Sequence, residues 1–184
     1  MKFEETPLEG SFIVDIDCVE DGRGWFARTY CKNEFKQIGF TGEWVQLNHS
    51  HTKKKGAVRG MHFQKFPFME IKLVRCIAGK VMDVIIDLRE DSLTFLQYYQ
   101  VELSAQNKKM IYIPHGFAHG FQCLANDCEL LYHHSEYYKP GFEDGIRYND
   151  PLLNISWSIN ISDISEKDLK HPFLDNSFKG LKTK

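Results

Sequence analysis

"KVMDVIIDL", residues 80–88, is rich in β-branched side chains, with Met82, Val84, Ile86 and Leu88 on one face and Val81, Asp83, Ile85 and Asp87 on the other. A period of two is the pattern of a strand. Working outward, nine further runs of β type are separated by turn residues: "SFIVDID" (11–17), "GWFARTY" (24–30), "EWVQLNHSH" (43–51), "AVRGMHFQ" (57–64), "EIKLVRCI" (70–77), "FLQYYQVEL" (95–103), "KMIYI" (109–113), "HGFQCL" (119–124) and "CELLYHHS" (128–135). Only "KNEFKQIGF" and "SEKDL" read as helical. So many short strands at close spacing predict a mainly β chain, a jelly-roll β-sandwich or barrel with short peripheral helices. The mouth or groove of such a fold is the default ligand site.

Bulk properties narrow the class. At 184 residues, with 42% hydrophobic residues and 14 phenylalanines, the chain holds a core large enough for one domain spanning 1–184, and it contains no linker, low-complexity segment or repeat of fixed period. Its five cysteines are odd in number and scattered, with no CxxC pair, which argues against a disulfide framework and against a structural zinc site. A reducing compartment fits. The first residues, "MKFEETPLEG", lack an apolar targeting segment, and no run approaches the roughly 18 apolar residues of a membrane span, so a cytoplasmic protein without a membrane partner is expected. A net charge of −2 is not the basic footprint of a nucleic-acid binder, and "KKK" at 53–55 reads as a solvated loop.

Chemistry concentrates in "GAVRGMHFQ", residues 56–64, where Arg59 precedes His62 by three positions. In a regular strand these two side chains point to opposite faces; a twist or bulge at Gly60 would bring both polar heads to one cavity. Composition alone favours a satisfied core histidine and a surface arginine. Other polar residues shift that balance. Lys72, Asp83, Gln46, Asn48 and His119 each interrupt apolar stretches, and burying so many polar groups unpaired would cost a few kcal/mol apiece. A shared polar cavity is the simpler arrangement. His49 and His51, His115 and His119, and His133 and His134 invite a metal reading, but "NHSH" lacks the glutamate that metal-holding jelly rolls of the cupin type carry at the following distance. Imidazole can also act as a base without any ion.

"DGRGWFARTY", "VQLNHS", "GAVRGMHFQ", "KLVRCIAGKVMDVIIDLREDSLTF", "VELSAQNKKMIYIPHGFAHGFQCL", "LLYHHSEYY", "IRYNDPLLNISW" and "ISEKD" occur in this order. Together they resemble the dTDP-4-dehydrorhamnose 3,5-epimerase family, collinearly from about Gly10 to about Pro172. The resemblance implies a cupin-like jelly roll, a homodimer, and catalysis with no metal and no organic cofactor. It also implies the chemistry. In a nucleotide-linked 4-keto-6-deoxyhexose the C4 ketone acidifies the hydrogens on C3 and C5, so that removing a proton and returning it from the opposite face inverts each centre. Histidine titrates near 6.5 and the α-hydrogen on the order of ten units higher, a mismatch of roughly 14 kcal/mol. A base therefore needs an enolate stabiliser and an acid beside it.

By the resemblance His62 is the base, Asp168 orients its imidazole, Lys72 meets the enolate oxygen and Tyr132 is the acid across the ring. Arg59 holds the diphosphate with its planar fork. Arg23 and Phe26 are contributed to the nucleotide site by the neighbouring subunit, Tyr138 stacks on the base, and Gln46, Asn48, His119, Glu143 and Lys167 fall at other substrate contacts. Three positions depart from the pattern. Arg28 stands where thymidine-specific members usually carry a glutamate, which reverses the charge beside the expected base pocket and leaves the nucleotide base open. His133 follows the acid in place of the common lysine. Met61 replaces a leucine, a volume-conserving change. Two other readings stay open at this point: a 3-epimerase or ketoisomerase on the same scaffold, and a non-catalytic or metal-dependent sugar-binding cupin.

Overall fold

In the computed structural model, which describes residues 1–183, the 80–88 segment is a strand buried on both faces. The strands are β1 (Lys2–Glu5), β2 (Phe12–Asp15), β3 (Cys18–Asp21), β4 (Gly24–Ala27), β5 (Gln46–Thr52), β6 (Ala57–Gln64), β7 (Lys72–Ala78), β8 (Lys80–Asp87), β9 (Tyr98–Ser104), β10 (Met110–Ile113), β11 (Phe117–Cys123), β12 (Cys128–His134), β13 (Glu143–Gly145) and β14 (Asp163–Ile164). The helices are α1 (Lys32–Phe35), continued by a 3₁₀ turn at Lys36–Ile38, and α2 (Glu166–Leu169). Each of the ten β-type runs overlaps a strand, and both helical segments include a helix.

The arrangement is a jelly roll. One sheet runs β1-β2-β10-β7-β12-β5 and the other β13-β6-β11-β8-β9, with β14 added in parallel beside β6. From β5 to β12 the chain changes sheet at every connection except the antiparallel β8-β9 pair. The expectation of a mainly β sandwich with short peripheral helices is met, and among the described residues no helix is long and apolar enough to cross a membrane. All five cysteines are free.

Three apolar layers hold this frame. Val81 and Ile85 of β8 meet Val74, Cys76, Ile111 and Leu130 of the opposite sheet in the sandwich interior. The other face of β8, Val84 and Ile86, is covered by Ile146, Leu153, Ile155 and Trp157 of the C-terminal segment. On the outside of the first sheet, Phe35 and Phe40 pack with Leu73, Met110 and Tyr112, and Trp44 stacks on Phe40 with ring centroids 4.3 Å apart. Burying each such side chain contributes about 1.5–3 kcal/mol. β3 and β4 pair only with each other and form a separate hairpin. The Trp25 ring lies beneath Arg75 and Lys108, 5.7 and 5.1 Å from its centroid, which seats the hairpin on the body of its own chain.

Candidate active site

The β6-β11 register brings Arg59 and His62 together. His119 pairs with His62 but Phe121 pairs with Arg59, so Gly60 and Met61 stand opposite Gly120 alone. This is the bulge that the Arg59–His62 spacing calls for, and it reverses the side-chain alternation across one step. Gly60 has φ 122°, and a Cβ there would lie 2.6 Å from the Gly120 Cα, so only glycine fits. Met61 and Phe63 turn into the layer under the C-terminal segment. Arg59 and His62 face a cavity of about 250 Å³ that is also lined by Asn48, Lys72, His119 and Tyr132. The base expected on sequence therefore comes from one sheet, and the lysine and tyrosine from the other.

Asp168 reaches His62 from α2. Ser165 caps that helix by accepting the Asp168 amide at 3.1 Å, and the buried Asp168 carboxylate points inward. Its Oδ2 accepts the Gly60 amide at 3.2 Å, and its Oδ1 lies 2.8 Å from His62 Nε2. Burial pushes the Asp168 carboxyl up, but the His62 hydrogen bond and charge together with the Gly60 amide hold it below the usual carboxylate range. An ionised Asp168 accepts a hydrogen bond from Nε2–H and leaves Nδ1 of His62 as the free acceptor.

Lys72 is buried and paired with Glu70 Oε1 at 3.0 Å. The second Glu70 oxygen lies 2.6 Å from His134 Nδ1, and His134 Nε2 lies 3.2 Å from Asn48 Nδ2. Burial opposes ionisation of Glu70, yet Lys72 and His134 bring its carboxyl down to about 2. Tyr132 carries its hydroxyl 3.1 Å from Ser50 Oγ, and burial pushes the phenol well above its ordinary value, so it stays protonated as a donor. Its ring stacks with His134 and meets His119 edge-on, both at 6.1 Å between centroids. His119 Nε2 lies 2.9 Å from Asp83 Oδ2, a fully buried carboxylate, which answers why an aspartate interrupts β8.

Two further cavities open onto His62. One, of about 220 Å³, is lined by Glu70, Tyr138, Glu143, Lys167 and His171; the other, of about 580 Å³, by Arg59, Lys167 and Asp168 among others. Lys167 Nζ and Glu143 Oε1 pair at 2.8 Å, which raises the lysine and lowers the carboxyl, while a hydrogen bond to Glu143 raises the Tyr138 phenol. Gln46 Oε1 accepts the Tyr138 amide at 3.1 Å and its Nε2 donates to Asn48 at 3.2 Å, fixing the strand that carries both.

Arg23, Phe26 and Arg28 are not brought to this cavity within the chain. Arg23 pairs with Asp21 at 2.5 Å on the exposed hairpin, Phe26 is 77% exposed, and Arg28 pairs with Glu34 at 3.0 Å. The histidine pairs noted in the sequence do not converge either: His49 meets Glu129, His51 meets Asp127, and His133 packs beside Trp44. Among the described residues the group of side chains close enough to hold a metal ion is His62, Asp168 and His171. Glu70, Ser50 and His171 were not anticipated. Glu70 next to Lys72 reads as surface charge, and His171 lies in a polar tail without periodicity.

The profile of the family described as dTDP-4-dehydrorhamnose 3,5-epimerase matches residues 5–176. The chain is 40% identical over 175 residues to the dTDP-4-dehydrorhamnose 3,5-epimerase of Salmonella typhimurium, covering 94% of this chain and 95% of that one. A crystal structure of the Elizabethkingia anophelis enzyme of the same name superposes with a TM-score of 0.92 at 38% identity, covering 97% and 98% of the two chains. A Legionella pneumophila epimerase in complex with dTDP-4-keto-L-rhamnose gives 0.92 at 34%, over 98% and 97%. A 3′-monoepimerase from Streptomyces bikiniensis in complex with dTDP-quinovose gives 0.84 at 28%, over 91% and 85%. The fold and the likeness along nearly the whole chain lead to one conclusion: this chain is an epimerase of the dTDP-4-dehydrorhamnose 3,5-epimerase family.

Proposed function

We propose that His62 and Tyr132 invert C3 and C5 of a dTDP-linked 4-keto-6-deoxyhexose, in deoxysugar biosynthesis of the L-rhamnose type that supplies a polysaccharide. The observation that supports this most is the placement of the His62–Asp168 pair on one sheet and of Tyr132 with Lys72 on the other, around one cavity. Nδ1 of His62 takes the proton from one face of the sugar, and Asp168 stabilises the imidazolium so formed. The Lys72 ammonium meets the charge that develops on the C4 oxygen. The Tyr132 phenol returns a proton from the opposite face. Arg59 holds the diphosphate, with Gln46, Asn48, His119, Tyr138, Glu143 and Lys167 as further substrate contacts, so that binding of the nucleotide positions the sugar. No cofactor or metal takes part in this scheme.

The chain acts as a homodimer in the cytoplasm. Arg23 and Phe26, stranded on an exposed hairpin, serve the partner's nucleotide, and Arg28 lies near the base. The edge position of β5, with Leu47 63% exposed, agrees with a covered surface. The likeness to a 3′-monoepimerase favours one second reading, inversion at C3 alone.

Proton NMR with dTDP-4-keto-6-deoxyglucose in deuterated water separates the two. Deuterium is expected at both C3 and C5, and none with His62→Ala. Exchange at C3 alone would establish the second reading, and unchanged exchange in the variant would remove His62 as the base.

A further inference from the structure

His171 Nε2 is fully buried and has no hydrogen-bond partner among the described residues. It lies 3.7 Å from Asp168 Oδ1, too far for a hydrogen bond. Asp168 Oδ1 is itself 2.8 Å from His62 Nε2, and the three ligand atoms all fall within 4.8 Å of one another. Two ligands on a tetrahedral zinc ion, each bound at about 2.0–2.1 Å, stand roughly 3.3 Å apart. Meeting that spacing requires the His62–Asp168 separation to open slightly, the His171–Asp168 one to close slightly, and the two imidazole nitrogens to approach from a separation of at most 4.8 Å. The seat of His171 is built by β13: Gly145 pairs with His62, and a Cβ at Gly145 would come within 2.4 Å of the His171 ring. Two of the cavities on His62 also border one of the other two groups, so the site has an entry path.

We propose that His62, Asp168 and His171 form a three-ligand site for a borderline-soft divalent transition cation, typified by Zn²⁺, whose binding switches the enzyme off. The donor set of two imidazoles, one carboxylate and an open fourth position suits zinc and not magnesium or calcium. The inhibition follows from the ring tautomer. A cation on Nε2 needs the lone pair there, so the ring proton must move to Nδ1. Nδ1 then carries a hydrogen and accepts no proton from the sugar. This consequence rests on the reading of His62 as the base; the site itself does not.

The test titrates chelator-stripped enzyme with Zn²⁺, following direct binding by competition with a chromophoric chelator and turnover in parallel, for wild type, His171→Asn and His171→Gln. Wild type is expected to bind about one more equivalent than either variant, to lose turnover as that site fills, and to recover with EDTA, while Mg²⁺ has no effect. With inhibition measured against each enzyme's own zinc-free turnover, both variants should need at least about tenfold more zinc for half-inhibition. Zinc binding that the substitutions leave unchanged would overturn the site and leave His62 as the base untouched. Zinc held through His171 without loss of turnover would overturn the switch and leave the assignment of His62 to the exchange experiment.

Discussion

Glu70 joins two partners, Lys72 at 3.0 Å and His134 at 2.6 Å, beside the cavity at His62. Its folded carboxyl titrates at about 2 against an ordinary 4.5, and each unit is worth 1.36 kcal/mol, so its ionised form contributes about 3 kcal/mol. The folded value is the lower one. The contribution is therefore complete above pH 4.5 and is lost as pH falls towards 2. Glu70→Gln should lower stability by about 3 kcal/mol near neutrality, a deficit that shrinks below pH 4.5 in denaturant melts followed against pH; a deficit independent of pH would remove the ion pair as its cause. Tyr132→Phe should lower turnover about 10²–10⁴-fold while deuterium still enters at the carbon that His62 deprotonates, because abstraction survives and delivery from the other face does not. Lys72, Asp83 and His119 were legible because a polar residue inside an apolar run stands out, whereas His62 emerged only through the family resemblance. Glu70 and Ser50 were not, since a glutamate before a strand and a serine in a polar edge strand look like surface.

At the scale of elements, the bulge in β6 decides whether the arginine and the histidine share a ligand. Gly60→Ala places a Cβ against the Gly120 backbone at a φ of 122°, and moves the amide that Asp168 Oδ2 accepts. A loss of about 3 kcal/mol or more is expected, since the positive φ costs about 1–2 kcal/mol before any clash. Turnover should fall further than stability accounts for, because Arg59 and His62 lose their common orientation. A folded Gly60→Ala enzyme with wild-type turnover would show that the bulge is incidental. The ten strong strands could be read from period-two patterns and turn residues, down to the need for irregularity at Gly60. The short strands β1, β3, β13 and β14 could not, since β13 and β14 have only three and two residues and β1 and β3, KFEE and CVED, are half or more charged. The C-terminal cover over β8 was also hidden: Ile146, Leu153, Ile155 and Trp157 are spaced irregularly and are ordered by the sheet they land on.

Across the whole molecule, the β3–β4 hairpin is the feature that a single chain leaves unexplained. Val19 and Phe26 face each other across it, 72% and 77% exposed, and with Arg23 and Trp25 they line a cavity of about 400 Å³ separate from the one at His62. An apolar pair beside an arginine is costly to leave in water and well suited to a nucleotide, with the ring held by the aromatic face and the phosphates by the guanidinium. In the proposed homodimer the hairpin of one subunit completes the site of the other, and this arrangement has a consequence that no monomer shares. His62→Ala destroys the site in its own chain and leaves its hairpin intact, whereas a double substitution of Arg23 and Phe26 to Ala leaves His62 intact and damages only the partner's site. Each variant alone should be nearly inactive. Refolded together in equal amounts, half of the dimers are mixed, and each mixed dimer holds one site with both an intact His62 and an intact hairpin. Turnover should then return to about a quarter of the wild-type value per subunit, the share set by twofold symmetry. If the hairpin served its own chain, mixing would restore nothing, because every His62 would remain beside a damaged hairpin or every hairpin beside a missing base. Measuring turnover before and after co-refolding therefore decides which subunit the hairpin serves without any structure of the complex.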